Sequence, residues 1–147
     1  MAPCVRECDV KATPATIWKM CFAPMKWELW DPDVEIVEDV SGPCANGTTF
    51  VFVMKDSSIK TIPVVLSDVT ENESVRFVGG VLGGAMKFDG FIDISVVDSS
   101  TSRVTYSFDM FGPLGSLVNW LNPFPVTNGV EKGLENIKNL SVNAPSQ

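Results

Sequence analysis

The sequence is dominated by a run of alternating apolar and polar residues that ends in a helical segment. Between Val34 and Met110, six consecutive stretches alternate in this way, joined by short turns rich in Gly, Asn, Asp and Ser. A period of two predicts β-strands with one buried face, and short connections predict that neighbouring strands run antiparallel. Residues 4–12 alternate similarly and add a seventh strand. A sheet of this kind must cover its apolar face with a helical layer.

The covering helix is predicted in the last third of the chain. Apolar residues recur there at intervals of three and four in two groups, Leu114, Leu117, Val118 and Leu121, then Val126, Val130, Leu134 and Ile137. Pro123 and Pro125 lie between the groups, where a missing N–H and a fixed φ interrupt a helix. We therefore predict two helical pieces with an interruption at residues 122–126. The second closes the sheet, and the first is either a movable flap or an angled continuation.

Two short helices are predicted between the first strand and the run of six. Thr13-Pro14 supplies an N-cap residue followed by proline at the first helical position. That helix ends at Pro24, and a second short helix over residues 25–30 ends at Asp31-Pro32-Asp33. The element order β-α-α-β-β-β-β-β-β-α predicts an α+β fold, in which a curved seven-stranded antiparallel sheet surrounds a C-terminal helix.

Proline and glycine interrupt the predicted strands at two places. Pro63 lies within a stretch of strand periodicity, which predicts an edge position or a bulge because proline has no N–H to donate. The glycine-rich segment at residues 79–84 is predicted to break the sheet and to form a flexible hairpin tip over the entrance to the interior. It precedes a strand and not a helix, so it does not match a phosphate-binding loop.

The composition narrows the classes of function. A chain of 147 residues with 45% hydrophobic residues is long enough to bury a core, and we predict a single domain at residues 1–147. The net charge of −7, with 11 basic residues that do not cluster, disfavours nucleic acid and anionic membranes as partners. Histidine is absent from the sequence, so the commonest base and metal ligand at neutral pH is missing. We predict no metal, no cofactor, and a monomer or homodimer.

The four cysteines predict reduced thiols and a cytoplasmic location. They show no CxxC spacing, and Cys4 and Cys8 would share one face of the first strand at about 13 Å, too far apart for a disulfide. The first residues of the chain carry no apolar signal region. No stretch approaches the roughly 18 apolar residues of a membrane span, so we predict no stable membrane insertion.

The inward-facing residues of the strands predict a cavity wall. A strongly curved sheet around a helix need not fill its interior with side chains, and the space left binds apolar ligands. Phenylalanine and methionine together make an adaptable lining. Each residue of the set is alternatively plain core: Phe50, Phe52, Met54, Met86, Phe88, Phe108 and Met110.

Three polar side chains are candidates for acid–base chemistry. Tyr106 is in the inward phase of its strand, where it either donates a proton to a ligand or is a core aromatic with a satisfied hydroxyl. Glu28 and Asp31 lie beside Trp27 and Trp30, and burial against indole rings would raise their pKa values toward neutrality. The alternative is that both tryptophans are core residues and both carboxylates are solvated or cap a turn.

Two further groups of residues are candidates for the functional site, namely those at the helix interruption and the lysines of the strands. Asn119, Trp120 and Phe124 lie at the interruption and form either the mouth of the cavity or a plain kink. Lys55, Lys60 and Lys87 are in the outward phase of their strands, whereas a Schiff-base lysine requires a desolvated position. We therefore predict no covalent lysine chemistry.

The whole chain resembles a known superfamily. The resemblance is carried by residues 12–18 (Ala-Thr-Pro-Ala-Thr-Ile-Trp), by the segment Trp27-x-x-Trp30-Asp-Pro-Asp-Val34, by the meander of strands, by Gly112-Pro-Leu114, and by Gly133-Leu-Glu-Asn-Ile-Lys138. These features are similar to those of START-like proteins, in particular the polyketide cyclase/dehydrase and lipid-transport group (SRPBCC, Bet v 1-like). The resemblance implies a helix-grip fold with a deep pocket for a hydrophobic small molecule. The interruption at Pro123 and Pro125 departs from the family's uninterrupted long helix.

Two hypotheses about function remain, because this fold does not determine one chemistry. The first is a cofactor-independent cyclase, dehydratase or isomerase, hence a lyase or isomerase, of polyketide- or terpenoid-like secondary metabolism. Tyr106, Asp31 and Glu28 would move protons on a substrate that the pocket holds in a reactive shape. The second is a carrier or receptor that binds an apolar metabolite or lipid without chemistry.

Overall fold

The computed structural model describes residues 4–55, 59–114 and 124–143, apart from the side chains of Leu82, Phe124 and Pro125. The strands are β1 (Cys4–Val10), β2 (Val34–Glu38), β3 (Thr49–Met54), β4 (Thr61–Thr70), β5 (Ser74–Val81), β6 (Met86–Asp98) and β7 (Thr101–Phe111). The helices are α1 (Pro14–Cys21), α2 (Trp27–Trp30) and α3 (Phe124–Val142). Short 3₁₀ turns occupy Pro24–Lys26 and Leu82–Gly84.

The seven strands form one antiparallel sheet in the order β1-β7-β6-β5-β4-β3-β2. Every pair of neighbours is antiparallel, and β1 pairs with β7 because the chain returns across the sheet at its end. The helix α3 packs against β1, β7, α1 and α2. This arrangement confirms the predicted α+β helix-grip fold, including the two short helices after the first strand.

The start of α1 follows from its sequence. Thr13 is the N-cap residue, and its side-chain oxygen accepts a hydrogen bond from the backbone N–H of Thr16 at 3.3 Å. Pro14 occupies the first turn, where its missing N–H costs nothing. Ile17 and Cys21 are fully buried, so the helix presents one apolar face to the interior.

The ladder between β4 and β5 ends earlier than those of the neighbouring strand pairs. Their ladder runs from the turn only as far as Val64 and Gly79, whereas β4 stays paired with β3 to Thr61 and β5 stays paired with β6 to Val81. Pro63 lies in a central strand and not at the predicted edge or bulge. It comes just beyond the last β4–β5 pair, Val64 with Gly79, so no pair in that ladder depends on its missing N–H.

The glycine-rich segment does not break the sheet at its first glycines, contrary to the prediction. Strand β5 continues through Gly79 and Gly80 to Val81, and only residues 82–84 form the turn. Gly79 is inside the strand because its missing side chain makes room for the ring of Phe88, which an added Cβ would approach to 2.5 Å. The glycines therefore allow close packing on the sheet, and the hairpin tip is shorter than expected.

The closing helix α3 begins at Phe124 and holds Pro125 in its first turn, where a proline is tolerated. Val130, Leu134 and Ile137 are buried, as their helical spacing predicts. The first predicted helical piece lies outside the described residues from residue 115 onward. Among the helices that the structure describes, none has the length and apolar character needed to cross a bilayer.

Candidate active site

A cavity of about 460 Å³ lies between the first half of α3 and the end of the sheet where β5 turns into β6. Its volume is in the range typical of small-molecule sites. The strands supply most of the wall, and α3 contributes Val126, Gly129 and Val130. Four charged side chains, one tyrosine and an otherwise apolar wall border it: Asp31, Asp33, Lys55, Lys87, Tyr106, Val34, Phe52, Met54, Ile59, Ile62, Phe77, Val81, Met86, Phe88, Phe108 and Met110.

Six residues of the predicted wall border this cavity: Phe52, Met54, Met86, Phe88, Phe108 and Met110. The ring of Phe88 stacks on Phe108 at 5.6 Å and on Phe52 at 6.1 Å, with interplanar angles of 15° and 8°. These stacked rings give the cavity a flat aromatic side. The methionines border the same space with flexible side chains.

Three other predicted ligand-binding residues lie elsewhere. Trp27, Trp30 and Phe50 are fully buried and are not part of the cavity wall. Trp27 packs against Phe50 at 5.8 Å, and the indole N–H of Trp30 donates to the carbonyl of Cys21 at 2.8 Å. Phe50 points inward, as the strand alternation predicts, but side chains from the region of α1 and α2 occupy the space opposite it. The structure therefore places these three rings in solid core.

The remaining predicted site residues are also not in the cavity wall. The carboxylate of Glu28 accepts a hydrogen bond from the backbone N–H of Val37 at 3.2 Å, which holds α2 to β2 and turns this side chain away from the cavity. Asn119 and Trp120 lie outside the described residues, as does the side chain of Phe124.

Asp31 brings a carboxyl group into the cavity from the end of α2. Its backbone N–H donates to the carbonyl of Trp27, and its Oδ1 accepts from the N–H of Asp33 at 3.0 Å, so the turn fixes the side chain. Burial raises the pKa of Asp31 to about 7, and the neighbouring Asp33 adds to the effect, while the Asp33 N–H and Lys55 oppose it. A carboxyl group with this pKa exchanges protons readily near neutral pH.

Tyr106 contributes the only phenol of the chain to the same cavity. Its ring is 4% exposed and packs edge-on against Trp30 at 5.9 Å. Burial raises the pKa of Tyr106 well above its ordinary value, with Asp31 and Asp33 adding to the rise, so the hydroxyl stays protonated. This hydroxyl makes no hydrogen bond to any residue that the structure describes, which leaves a donor available to a ligand.

Asp31 and Tyr106 mark what we call the polar end of the cavity. Sequence reasoning missed three further residues there. Asp33 lies two residues after Asp31, and burial raises its pKa while Lys55 lowers it. Lys55 follows the last residue of β3, so strand alternation no longer determines where its side chain points, and it borders the cavity. Gly129 of α3 is the third, since a Cβ there would lie 3.0 Å from Oδ2 of Asp33. The missing side chain of Gly129 therefore leaves room for the Asp33 carboxylate.

Two signals in the sequence point to these residues. The repeated aspartates of Asp31-Pro32-Asp33 predict two carboxylates at one turn, and Gly129 with Gly133 marks one face of α3 at a spacing of four. A Cβ on Gly133 would lie 3.4 Å from the ring of Tyr106 and 3.5 Å from that of Trp30. The glycine face of the helix thus gives space to the acidic and aromatic groups opposite.

The cysteines contribute no activated nucleophile to this site. All four are free thiols, and none borders the cavity. Burial raises the pKa of Cys21 to about 11 and that of Cys44 to about 12, which keeps both thiols protonated. Within the described part of the chain, no three His, Cys, Asp or Glu side chains are grouped as a metal site.

Solved structures with similar folds cover nearly the whole chain. XoxI from Bacillus cereus superposes with a TM-score of 0.71 at 16% identity, covering 97% of both chains. Norcoclaurine synthase from Thalictrum flavum, in complex with dopamine and hydroxybenzaldehyde, gives 0.70 at 17% identity over 99% of this chain and 88% of that one.

A third similar structure is the di-domain aromatase/cyclase BexL from the BE-7585A biosynthetic pathway. It gives a TM-score of 0.72 at 13% identity over 95% of this chain and 46% of that one. This chain has the helix-grip fold. No protein-family model matches it, and no curated protein matches it significantly. Similarity at identities this low shows the fold alone, so any chemistry has to be argued from the residues of the cavity.

Proposed function

We propose that the protein binds an apolar carbonyl compound in the cavity and moves protons on it with its own side chains. The reaction would be a cyclisation, dehydration or isomerisation in polyketide- or terpenoid-like secondary metabolism. One observation carries the proposal: Asp31 and the unpartnered hydroxyl of Tyr106 border the same apolar cavity. We further propose a cytoplasmic site of action as a monomer or homodimer, which the free thiols support.

The proposed first step is removal of a proton from carbon adjacent to the substrate carbonyl. The C–H bond breaks, the proton moves to the Asp31 carboxylate, and the electron pair passes into the enolate. The Tyr106 hydroxyl donates a hydrogen bond to the oxygen on which negative charge develops, and this bond is worth more inside a cavity with apolar walls than in water.

The fate of the enolate distinguishes the three reaction types. When a carbon–carbon double bond lies next to the deprotonated carbon, the enolate is a dienolate, and return of the proton from Asp31 to its far carbon is an isomerisation. Attack of the enolate carbon on a second carbonyl of the same molecule closes a ring, and Asp31 returns its proton to the new alkoxide. Asp31 can then remove a second proton from the carbon next to the carbonyl; the electron pair forms a carbon–carbon double bond, and the hydroxyl leaves as water with the proton from Asp31, which is a dehydration. The flat face of Phe88 and Phe108 suits the planar intermediates of such a sequence.

Hydrogen–deuterium exchange tests the proposal without knowledge of the natural substrate. A panel of apolar aromatic ketones is incubated with the protein in heavy water, and deuterium at the carbon next to the carbonyl is followed by NMR. We expect catalysed exchange that Asp31→Asn lowers by about 10²- to 10⁴-fold, and that Tyr106→Phe lowers while leaving ketone binding largely intact. Glu28→Gln is the matched control and should leave the exchange unchanged, because Glu28 bonds to β2.

A non-catalytic carrier is the second candidate, favoured by the three methionines of the wall. Met54, Met86 and Met110 border the cavity with flexible side chains that adapt to ligands of different shape. A carrier would bind many apolar molecules with similar affinities in the wild type and in Asp31→Asn. Tight ketone binding without any exchange, unchanged by either substitution, would replace the enzyme proposal with this one.

A further inference from the structure

The two lysines that border the cavity differ in their surroundings. Lys55 lies at the polar end, where burial raises the pKa values of Asp31 and Asp33 and Lys55 is close enough to both to oppose the rise. The charge of Lys55 is therefore balanced by carboxyl groups of the protein itself. Lys87 borders the cavity from the beginning of β6, away from this pair of aspartates.

Lys87 has no ionic partner within the described part of the chain. It forms no salt bridge there, although acidic residues outnumber basic ones in the sequence by 18 to 11. The carboxylate of Asp89, two residues along the same face of β6, accepts hydrogen bonds of 2.8 Å at both oxygens from Arg76. The wall of the cavity therefore carries a cation that a ligand can pair with.

Two glycines determine where the side chain of Lys87 lies. A Cβ on Gly80 would be 3.2 Å from Cγ of Lys87, and one on Gly84 would be 3.0 Å from its Cε and 3.6 Å from its Nζ. The stem therefore passes from β6 over β5 toward the turn at residues 82–84, and the ammonium group lies beside that turn. The cavity is at this same end of the sheet, and Lys87 is exposed, so its ammonium group lies at the rim of the cavity.

The phenol of Tyr106 and the ammonium group of Lys87 lie far apart along the sheet. Tyr106 of β7 pairs with Ile92 of β6, and Ile92 is five positions from Lys87. At about 3.4 Å per residue, the two positions are separated by about 17 Å. Tyr106 is buried and Lys87 is exposed, so the first marks the interior of the cavity and the second its rim. A ligand that contacts both must be elongated, with a different polar group at each end.

We propose that the ligand is an elongated keto acid, whose carbonyl lies at Tyr106 and Asp31 and whose carboxylate pairs with the ammonium group of Lys87 at the rim. The proposal rests on the proposed function, because it takes Tyr106 and Asp31 as the place of the reacting carbonyl. Lysine binds an anion as a point charge. Arginine, whose fork suits phosphate, does not border the cavity in the described part of the chain, which favours a carboxylate. Lys87 would determine specificity and take no part in the chemistry.

Phenyl ketones with a straight chain that ends in a carboxylate test the proposal. The length of the chain is varied, and each acid is compared with the primary amide and the primary amine of equal length. Binding is measured by displacement of the neutral fluorescent probe 1-aminoanthracene. Long acids should bind about two- to fivefold more tightly than their amides, as expected for one exposed ion pair, and the amines should bind more weakly than the amides. Short acids cannot reach Lys87 while their ketone lies at Tyr106, so they should bind no better than their amides.

A pair of lysine variants separates contact from net charge. Lys87→Met removes the ammonium group and keeps an apolar stem, so it should lower the affinity of the long acids to that of their amides. Lys60→Met is the matched control, since Lys60 is an exposed lysine next to the start of β4, near the same end of the sheet, and is not part of the cavity wall. It changes the net charge equally and should keep the preference for acids. Both side chains are exposed, and circular dichroism establishes that each variant is folded.

Three results would overturn the inference. Equal losses of acid affinity in Lys87→Met and Lys60→Met would mean that net charge, and not contact with Lys87, attracts the acid. A preference for acids at every chain length would mean that the carboxylate is bound somewhere else. Tighter binding of the amines than of the acids would mean that Asp31 and Asp33 select a cation. In all three cases the proposed function stands if the ketones still exchange protons through Asp31. Failure of acids, amides and amines alike to bind and exchange would remove the proposed function together with this inference.

Discussion

The two ends of the interior differ in packing although one sheet forms the wall of both. At the end covered by α1 and α2, the rings of Phe22, Trp27, Trp30 and Phe50 contact one another and are fully buried. At the other end, Phe52, Phe88 and Phe108 face a cavity. The strands carry the same inward aromatic pattern throughout, so the difference arises from what lies opposite them.

The helices determine that difference through the size of their side chains. Phe22, which directly follows α1, and Trp27 and Trp30 of α2 are fully buried and fill the space at this end. The first half of α3 supplies Val126, Gly129 and Val130, which are too small to do so. Packing at the filled end is close enough that the indole N–H of Trp27 has no acceptor among the described residues, an arrangement that costs about 1–3 kcal/mol. One end thus contributes stability, and the other contributes binding space.

The largest expected effect comes from one substitution made at each end. Phe50→Ala removes a ring that is 1% exposed and should lower the free energy of unfolding by about 3–5 kcal/mol, since it opens a void in close-packed core. Phe108→Ala removes a half-buried ring that already faces empty space and should cost less than half as much. Urea denaturation of both variants measures the two values. Equal losses would contradict the division into a packed and an open end.

The same two substitutions should affect ligand binding in the opposite order, with the larger loss of affinity at Phe108. Phe108 stacks on Phe88 at the cavity wall, whereas Phe50 is outside that wall. Phe108→Ala should therefore weaken the binding of aromatic ketones, and Phe50→Ala should leave it nearly unchanged wherever the protein remains folded. Probe displacement under native conditions checks this.

The next largest expected effect is a pH dependence of the free energy of unfolding, caused by Asp31 at the polar end of the cavity. The pKa of Asp31 is about 7 in the folded protein and about 4 in an unfolded chain, so between these values the folded state binds the proton and the unfolded state does not. Stability therefore falls as pH rises from about 4 to about 7. The loss is at most about 4 kcal/mol, because about 1.4 kcal/mol accompanies each pH unit.

Asp31→Asn isolates this contribution from those of the other carboxylates. The amide keeps the acceptor for the Asp33 N–H but has no charge to bury. The stability of the variant relative to the wild type should increase from pH 4 to pH 7 and then stay constant. Thermal unfolding of both proteins across this range provides the measurement. A difference that does not change with pH would mean that Asp31 titrates normally and is not a base poised near neutrality.

The sequence predicts the fold more fully than it predicts the site, and the residues explain why. Strand alternation identifies which side chains point inward, and six of the seven predicted wall residues border the cavity. Alternation does not show which part of the interior is filled by other side chains. It therefore predicts Phe50 as a wall residue, although Phe50 lies in packed core. That depends on α1 and α2, whose contacts are not local in the sequence.

The polar residues were harder to predict than the apolar ones because regular periodicity ends where they occur. Glu28 is in a helix of four residues, too short for a reliable face, and the hydrogen bond to Val37 decides its direction. Lys55 follows the end of β3, where alternation no longer applies. Asp31 was identified through its neighbouring indoles and does border the cavity, and its catalytic role remains a prediction.

The smallest expected effect compares the two glycines of α3. Replacing glycine by alanine within a helix gains about 1 kcal/mol from backbone propensity. At Gly129 the new methyl group would meet Oδ2 of Asp33, the end of a flexible side chain that borders the open cavity and can turn away, so Gly129→Ala should stabilise the protein slightly. At Gly133 the neighbours are the buried rings of Tyr106 and Trp30, which cannot move freely, so Gly133→Ala should gain less or nothing.

The Gly129 variant also tests how Asp33 is held at the polar end of the cavity. If the space at Gly129 holds the carboxylate in place, Gly129→Ala should displace Asp33 and change the pH dependence of ketone exchange even though the protein is more stable. NMR titration of the Asp33 side chain in the variant and the wild type measures the displacement directly. An unchanged titration curve would mean that the glycine serves only close packing, and that the polar end is positioned by the turn at Asp31 alone.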